Sequence, residues 1–169
     1  MNLLIEQPAR PARPDLDEFW RAANQELKEA RLGEDYQVRW IGLNDETTKQ
    51  ILELIQIGDK TGTFTLPWIV AKTDRVMPEA GDAIVLVDFD GAPKLLVRLT
   101  AIEEVLFGEI TTGHIAIDGT PVRALDVWKP LHTQYWNQML EPFDLTVSDD
   151  MPVLVEKFEL LYPNSQLRP

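Results

Sequence analysis

The stretch Gly58-Asp59-Lys60-Thr61-Gly62-Thr63-Phe64-Thr65 decides how this chain is read. Upstream, Thr48, Ile51, Leu52 and Ile55 recur at helical spacing, and downstream a β-rich run begins at Phe64, so the two glycines mark a change of period. A helix stops most easily at Gly58, where a left-handed residue costs least. The turn then delivers Lys60 to a fixed place, with the hydroxyls of Thr61, Thr63 and Thr65 following it into the strand.

Outward from the turn, the pattern alternates. Towards the N-terminus, Asn44 or Asp45 is placed to cap the helix that ends at Gly58, after a strand over Tyr36 to Ile41 and a turn at Gly42-Leu43. Before that, Asp15 is expected to cap a helix whose apolar side is Leu16, Phe19, Trp20, Ala23 and Leu27, ending before Gly33. Residues 7–14, Gln-Pro-Ala-Arg-Pro-Ala-Arg-Pro, predict an extended arm, mobile or draped, since each proline removes a donor and restricts its predecessor.

Towards the C-terminus, Phe64 to Ala71 reads as a strand at an edge or bulge, because Pro67 interrupts it. Ala83 to Asp88 and Lys94 to Ile102 form a hairpin through Asp90-Gly91, a dipeptide suited to turns whose two central residues take positive φ. Phe107 to Asp118 predicts a short helix or helical turn. Residues 123–139 carry Leu125, Trp128, Leu131, His132, Tyr135, Trp136 and Met139 at steps of three and four, with a kink or restart expected at Pro130. Met151 to Tyr162 closes the chain as a strand pairing with the hairpin. The order predicts an α+β fold with a mostly antiparallel, curled sheet. It divides into a flexible proline-rich arm over 1–14, one domain over 15–163 and a tail over 164–169.

Composition narrows the chemistry. The 169 residues are 44% apolar and 26% charged, enough for one domain with a sizeable core. Zero cysteines exclude disulfides, thiolate catalysis and sulfur-ligated zinc, two histidines argue against an imidazole metal centre, and no metal site is expected. No window approaches the roughly 18 apolar residues of a membrane span, and no secretory leader is evident, so a cytoplasmic location without membrane contact is expected. A net charge of −12 opposes charge-driven binding to long nucleic acid, but leaves room for a pocket that takes one nucleoside or a short strand.

Several residues could carry chemistry. Lys60 and Thr63, three apart across Gly62, pair a cation with a hydroxyl that it could activate. Asp118, before Gly119, could orient that pair through a carboxylate, though Asp-Gly is also common turn chemistry. Trp128, His132, Tyr135 and Trp136 share one helical side, and His132 could reach into a cleft whose aromatic walls stack on a base. Trp40 and Trp68 offer further ring surface. Arg39, Lys72, Arg98 and Arg123 are candidates for phosphate contact or ordinary solvated charges.

Taken together, Phe19-Trp20, Trp40-Ile41-Gly42, Gly58 to Thr63, Gly81-Asp82, Asp90-Gly91, Asp118-Gly119, Trp128 with His132 and Tyr135-Trp136, and Met151-Pro152-Val153 resemble the ASCH domain family. Its barrel is similar to the PUA domains of RNA-modifying proteins. The resemblance covers nearly everything from Leu16 to Pro163 and implies a small β-barrel with helices closing one side of a cleft. It implies a partner that is RNA or a modified nucleoside, no cofactor, and in some relatives ribonuclease or nucleoside amidohydrolase activity through a lysine, a threonine and a glutamate. By motif these fall on Lys60, Thr63 and Asp118, the last one methylene shorter than the family's usual residue. Ala124 stands where relatives often carry serine. Trp40, Thr61, Thr65, Trp68, Arg98, Trp128, His132 and Tyr135 would then contact the substrate. The rival expectations are a non-catalytic RNA or nucleotide module and a domain that docks a basic protein surface.

Overall fold

The computed structural model describes residues 4–163. Five helices and five strands follow one another as α1 (Arg13–Glu26), β1 (Gln37–Arg39), α2 (Asp45–Gln56), β2 (Gly62–Thr65), α3 (Pro67–Lys72), β3 (Ala83–Val87), β4 (Pro93–Leu106), α4 (Thr112–Ile115), α5 (Leu125–Leu140) and β5 (Pro152–Tyr162). The strands lie in one sheet in the order β1-β3-β4-β5-β2. Only β1 with β3 is parallel, so the sheet is mixed but mostly antiparallel, as expected.

The sheet curls because β4 is long and irregular. Its first half pairs with β3 and residues Leu96 to Leu106 with β5, with register shifts at Leu96/Val97 and Leu99/Ala101. Each bulge inserts a residue on one strand and bends it. The barrel stays open, since β1 and β2 are both edge strands. Arg39 on β1 nevertheless reaches Glu156 on β5 at 3.0 Å, across the concave side of this half-barrel.

Both faces are buried, which is why β3 reads Ala-Ile-Val-Leu-Val without a polar residue. On the concave face, Ile84, Leu86, Val97, Leu99 and Phe158 pack against Ile55 of α2. On the other, Val85, Val87 and Leu96 meet Leu16 and Ala23 of α1, while Val105, Val153 and Val155 meet Trp128, Trp136 and Leu140 of α5. Each fully buried aliphatic side chain contributes about 1.5–3 kcal/mol.

Local differences from the sequence expectations have local causes. The first helix begins before Asp15, with Ala12 as its cap and Pro14 in its first turn, where the missing N–H is no loss. The same reason overturns the strand expected over Phe64 to Ala71. That strand ends at Thr65, and Pro67 opens α3 instead of bulging an edge. In the β3–β4 hairpin only Gly91 takes positive φ, at +83°, because the Asp88 carboxylate accepts the N–H groups of Asp90 and Ala92 and shapes the turn. Helix α5 runs through Pro130 without a restart. Asn44 caps α2 as expected, exchanging hydrogen bonds with Thr47. The arm lies along the domain, with Ala9 N–H donating to the Phe89 carbonyl and Glu6 N–H to that of Leu43. The tail over 164–169 lies outside the described residues.

Candidate functional site

The turn after α2 is fixed from both ends. Gly58 takes φ +81°, and the N–H groups of Asp59 and Lys60 both donate to the Leu54 carbonyl, closing the helix. Thr61 N–H then donates to the Ile117 carbonyl at 2.8 Å, and Thr61 accepts from Phe158 N–H on β5. Gly62 is forced by contact rather than conformation: a Cβ there would strike the Glu156 carbonyl and come within 2.5 Å of Ile117 Cδ1. The turn that carries Lys60 is thereby wedged between β5 and the segment after α4.

Lys60, only 4% exposed, donates through Nζ to Asp118 Oδ1 at 2.8 Å. Asp118 Oδ1 also accepts Gly119 N–H, and Oδ2 accepts Trp128 Nε1–H at 3.0 Å. The shorter carboxylate thus still meets the lysine. Burial pushes the Asp118 carboxyl up, but the charge and hydrogen bond of Lys60, with help from His132 and the Gly119 N–H, hold it below the ordinary aspartate range. It is an anion at neutral pH.

Over this pair stands an aromatic wall. Trp128 stacks on His132 with centroids 4.0 Å apart, and Phe64 meets both edge-on at 4.9 and 5.8 Å. Trp68 and Tyr135 pack on the same apolar cluster. His132 Nδ1 lies 2.9 Å from the Trp128 carbonyl, which can only accept, so Nδ1 carries the proton and Nε2 keeps a free lone pair, 3.9 Å from Asp118 Oδ2. Burial lowers the imidazole to about 4, against the pull of Asp118 and the Trp128 carbonyl, and the ring is neutral at pH 7.

A second polar cluster lies on the concave face. Glu156, with no exposed surface, accepts both bonds of an Arg39 fork arm and a third from Thr65 Oγ1 at 3.0 Å. Burial raises its carboxyl, and Arg39 and Thr65 only partly offset this. Thr63 pairs with Glu156 across β2 and β5, and directly opposed residues point to one face. Thr63 and Thr65 therefore turn towards Glu156, while Phe64 turns towards Trp128.

The structure thus joins Lys60, Asp118, Trp128 and His132, and sets Thr63 and Thr65 with Arg39. Trp40 is elsewhere, its Nε1 donating to Thr48 Oγ1. Arg98 is held by Glu159 and the Ala30 carbonyl. Glu156 escaped the sequence reading, though a lone acid between Val155 and Phe158 of an apolar strand was the available signal. A groove of about 530 Å³, lined by Asn137, Gln138, Glu141, Asp144, Leu145 and Thr146, shares no residue with either cluster. Among the described residues, no group of three or more acidic, histidine or cysteine side chains is placed to hold a metal, and no helix is long and apolar enough to cross a membrane.

The sequence model of the ASCH domain matches residues 39–162, which includes both clusters and strands β2 to β5. The chain belongs to the ASCH domain family. Its fold is similar to the crystal structure of an ASCH domain from Lactobacillus crispatus JV V101, with a TM-score of 0.80 at 16% identity over 89% of this chain and 96% of that one. It is also similar to that of a protein from Enterococcus faecalis V583, with a TM-score of 0.77 at 21% identity over 92% and 94% of the two chains. No curated protein matches the chain. At these identities the likeness speaks for the ASCH fold alone.

Proposed function

We propose that this ASCH domain binds a nucleoside or a short single strand of RNA at the Lys60–Asp118 pair. One observation carries the reading: a lysine ammonium held beneath a stacked Trp128–His132 wall spends a single hydrogen bond, on Asp118, among the described residues. An ammonium has three donors, so two remain for a carbonyl or phosphate oxygen, and the neutral His132 Nε2 beside them accepts an N–H. The acidic exterior disfavours long polyanions and leaves small or short ligands.

Hydrolysis is the second reading, favoured by the retention of a buried ion pair where two apolar residues would be at least as stable. In that scheme Thr63 attacks the acyl carbonyl, and the acyl C–N bond breaks as the hydroxyl proton passes to the departing nucleoside amine. Water cleaves the threonyl ester to the free acid and the threonine hydroxyl, while Lys60, held by Asp118, anchors the acyl oxygen. Because Thr63 faces Glu156, this scheme needs β2 to shift, and binding is the stronger conclusion.

Calorimetric titration of nucleosides, acylated nucleosides and short RNAs, with product analysis of each mixture, tests both. Binding should appear in the parent and vanish in Lys60→Met/Asp118→Asn, whose fold is checked by circular dichroism. Equal affinity in that variant would end the reading. Turnover that survives Thr63→Ala would remove the threonyl ester.

A further inference from the structure

Lys60 and Asp118 stand on two separate turns, and their bond requires those turns to keep a fixed spacing. One guanidinium spans the gap. Arg123 Nε donates to the Asp118 carbonyl at 2.7 Å, and its Nη2 donates to the Asp59 carbonyl and lies 3.1 Å from Asp59 Oδ1. The Asp59 carboxylate in turn accepts Thr120 N–H at 2.8 Å and the Thr120 hydroxyl at 2.6 Å. On the far side of Lys60, Thr61 N–H ties to Ile117. Lys60 is therefore bracketed by inter-turn ties on both sides, Asp59 to Arg123 and Thr120 before it and Thr61 to Ile117 after it.

We infer that Arg123, braced by Asp59, is a positioning residue that sets the reach between the Lys60 ammonium and the Asp118 carboxylate. It touches neither group's reacting atoms. It grips the main chain of the residue before Lys60 and of Asp118 itself, which is how a side chain at 38% exposure governs a pair buried beneath it. The role needs a planar fork whose donors are fixed towards two separate carbonyls, whereas a lysine carries its three donors on one compact, freely rotating nitrogen. Without Arg123 the turns keep the Thr61–Ile117 tie and the Asp59–Thr120 bonds, but the grip on the Asp118 main chain itself is lost. Asp118 then swings relative to Lys60 and to Trp128 Nε1–H.

The inference deepens the proposed ligand site, but its test is made on the ligand-free full chain. In ¹H–¹⁵N spectra the Trp128 indole signal, assigned by its loss in Trp128→Phe, reports the bond to Asp118. Arg123→Ala should move that signal, leave the Trp20 and Trp40 indoles in place, and raise the Asp118 carboxyl titration followed by ¹³C. Arg123→Lys should fall between Arg123→Ala and parent. An unmoved Trp128 signal with an unchanged Asp118 titration in either folded variant overturns the inference, as does equal movement of all five indoles. Should Arg123→Ala fail to fold, Arg123→Lys and Thr120→Ala carry the same readings. If these effects appear while no nucleoside or RNA binds, the proposed ligand falls and the positioning role stands.

Discussion

At the scale of single residues, the ion pair that gives the site its chemistry is also its liability. Lys60→Met leaves the Asp118 carboxylate buried with its opposite charge gone, and removing one partner of such a pair costs about 3–5 kcal/mol. Adding Asp118→Asn removes the stranded charge but keeps an oxygen for only one of Gly119 N–H and Trp128 Nε1–H, so it should recover part of that loss in urea unfolding. Similar midpoints for the single and double variants would mean that the charges are not coupled. His132 sets a separate pH window. Its folded pKa of about 4 lies below the ordinary 6.5, so as pH falls through that interval the unfolded chain takes up a proton that the folded one refuses. Stability drops by roughly 3 kcal/mol over that range. Glu156 works in the opposite direction, because its raised pKa lets the folded state protonate first and so offsets part of the loss. Asp118, lowered, adds stability that is present above about pH 3.9 and is lost only as pH falls further. His132→Phe keeps a ring against Trp128 and should flatten the decline between pH 7 and 4.5. Parallel declines in parent and variant would contradict this. Lys60, Asp118, Trp128 and His132 were legible beforehand because each stands at a local signal: a glycine turn, an Asp-Gly step, a helical i,i+4 pair. The fork of Arg123 was not, since nothing local says that two distant carbonyls will meet it.

At the scale of elements, what the sequence disclosed depended on length and punctuation. Helix α2 carries a capping residue, an apolar stripe and a terminal glycine, and its limits were read nearly to the residue. Helix α3 has six residues, too few to show a period, and Pro67 looks alike as a strand breaker and as a first-turn residue. Strand β2, four residues long, depends most on its partners. Gly62→Ala would drive a methyl group into the Glu156 carbonyl and the Ile117 side chain, separating β2 from β5 where Lys60 is set. Overpacking of this kind costs about 1–3 kcal/mol or more, and here the obstacle is backbone. The melting temperature should fall sharply, whereas Gly33→Ala, with nothing within 4 Å of its Cβ, serves as a neutral comparison. A parental melting temperature for Gly62→Ala would show that the turn has slack and that Lys60 is less fixed than its contacts indicate.

At the scale of the whole molecule, the edges of the sheet never exchange backbone hydrogen bonds, yet the half-barrel keeps its curl. Residues of α2 pack on the apolar concave face, and the polar bridge from Arg39 through Glu156 to Thr65 joins β1, β5 and β2 inside it. The curled, mostly antiparallel sheet followed from alternation and turn residues. The bridge did not, because it depends on the register shifts in β4 that bring β1 round to face β5. If the bridge pins the curl, Arg39→Met should cost about 3–5 kcal/mol by stranding Glu156, whereas Arg39→Met/Glu156→Leu, with both charges gone, should return near parental stability or exceed it. The two variants should differ in a second respect. Amide exchange in β1, a three-residue edge strand whose backbone pairing is with β3 alone among the described strands, should quicken in both if the bridge fixes geometry, and in Arg39→Met alone if its effect is purely energetic. Slow exchange in both, with unchanged unfolding midpoints, would show that apolar packing closes the half-barrel unaided and that Glu156 serves the chemistry of the concave face instead.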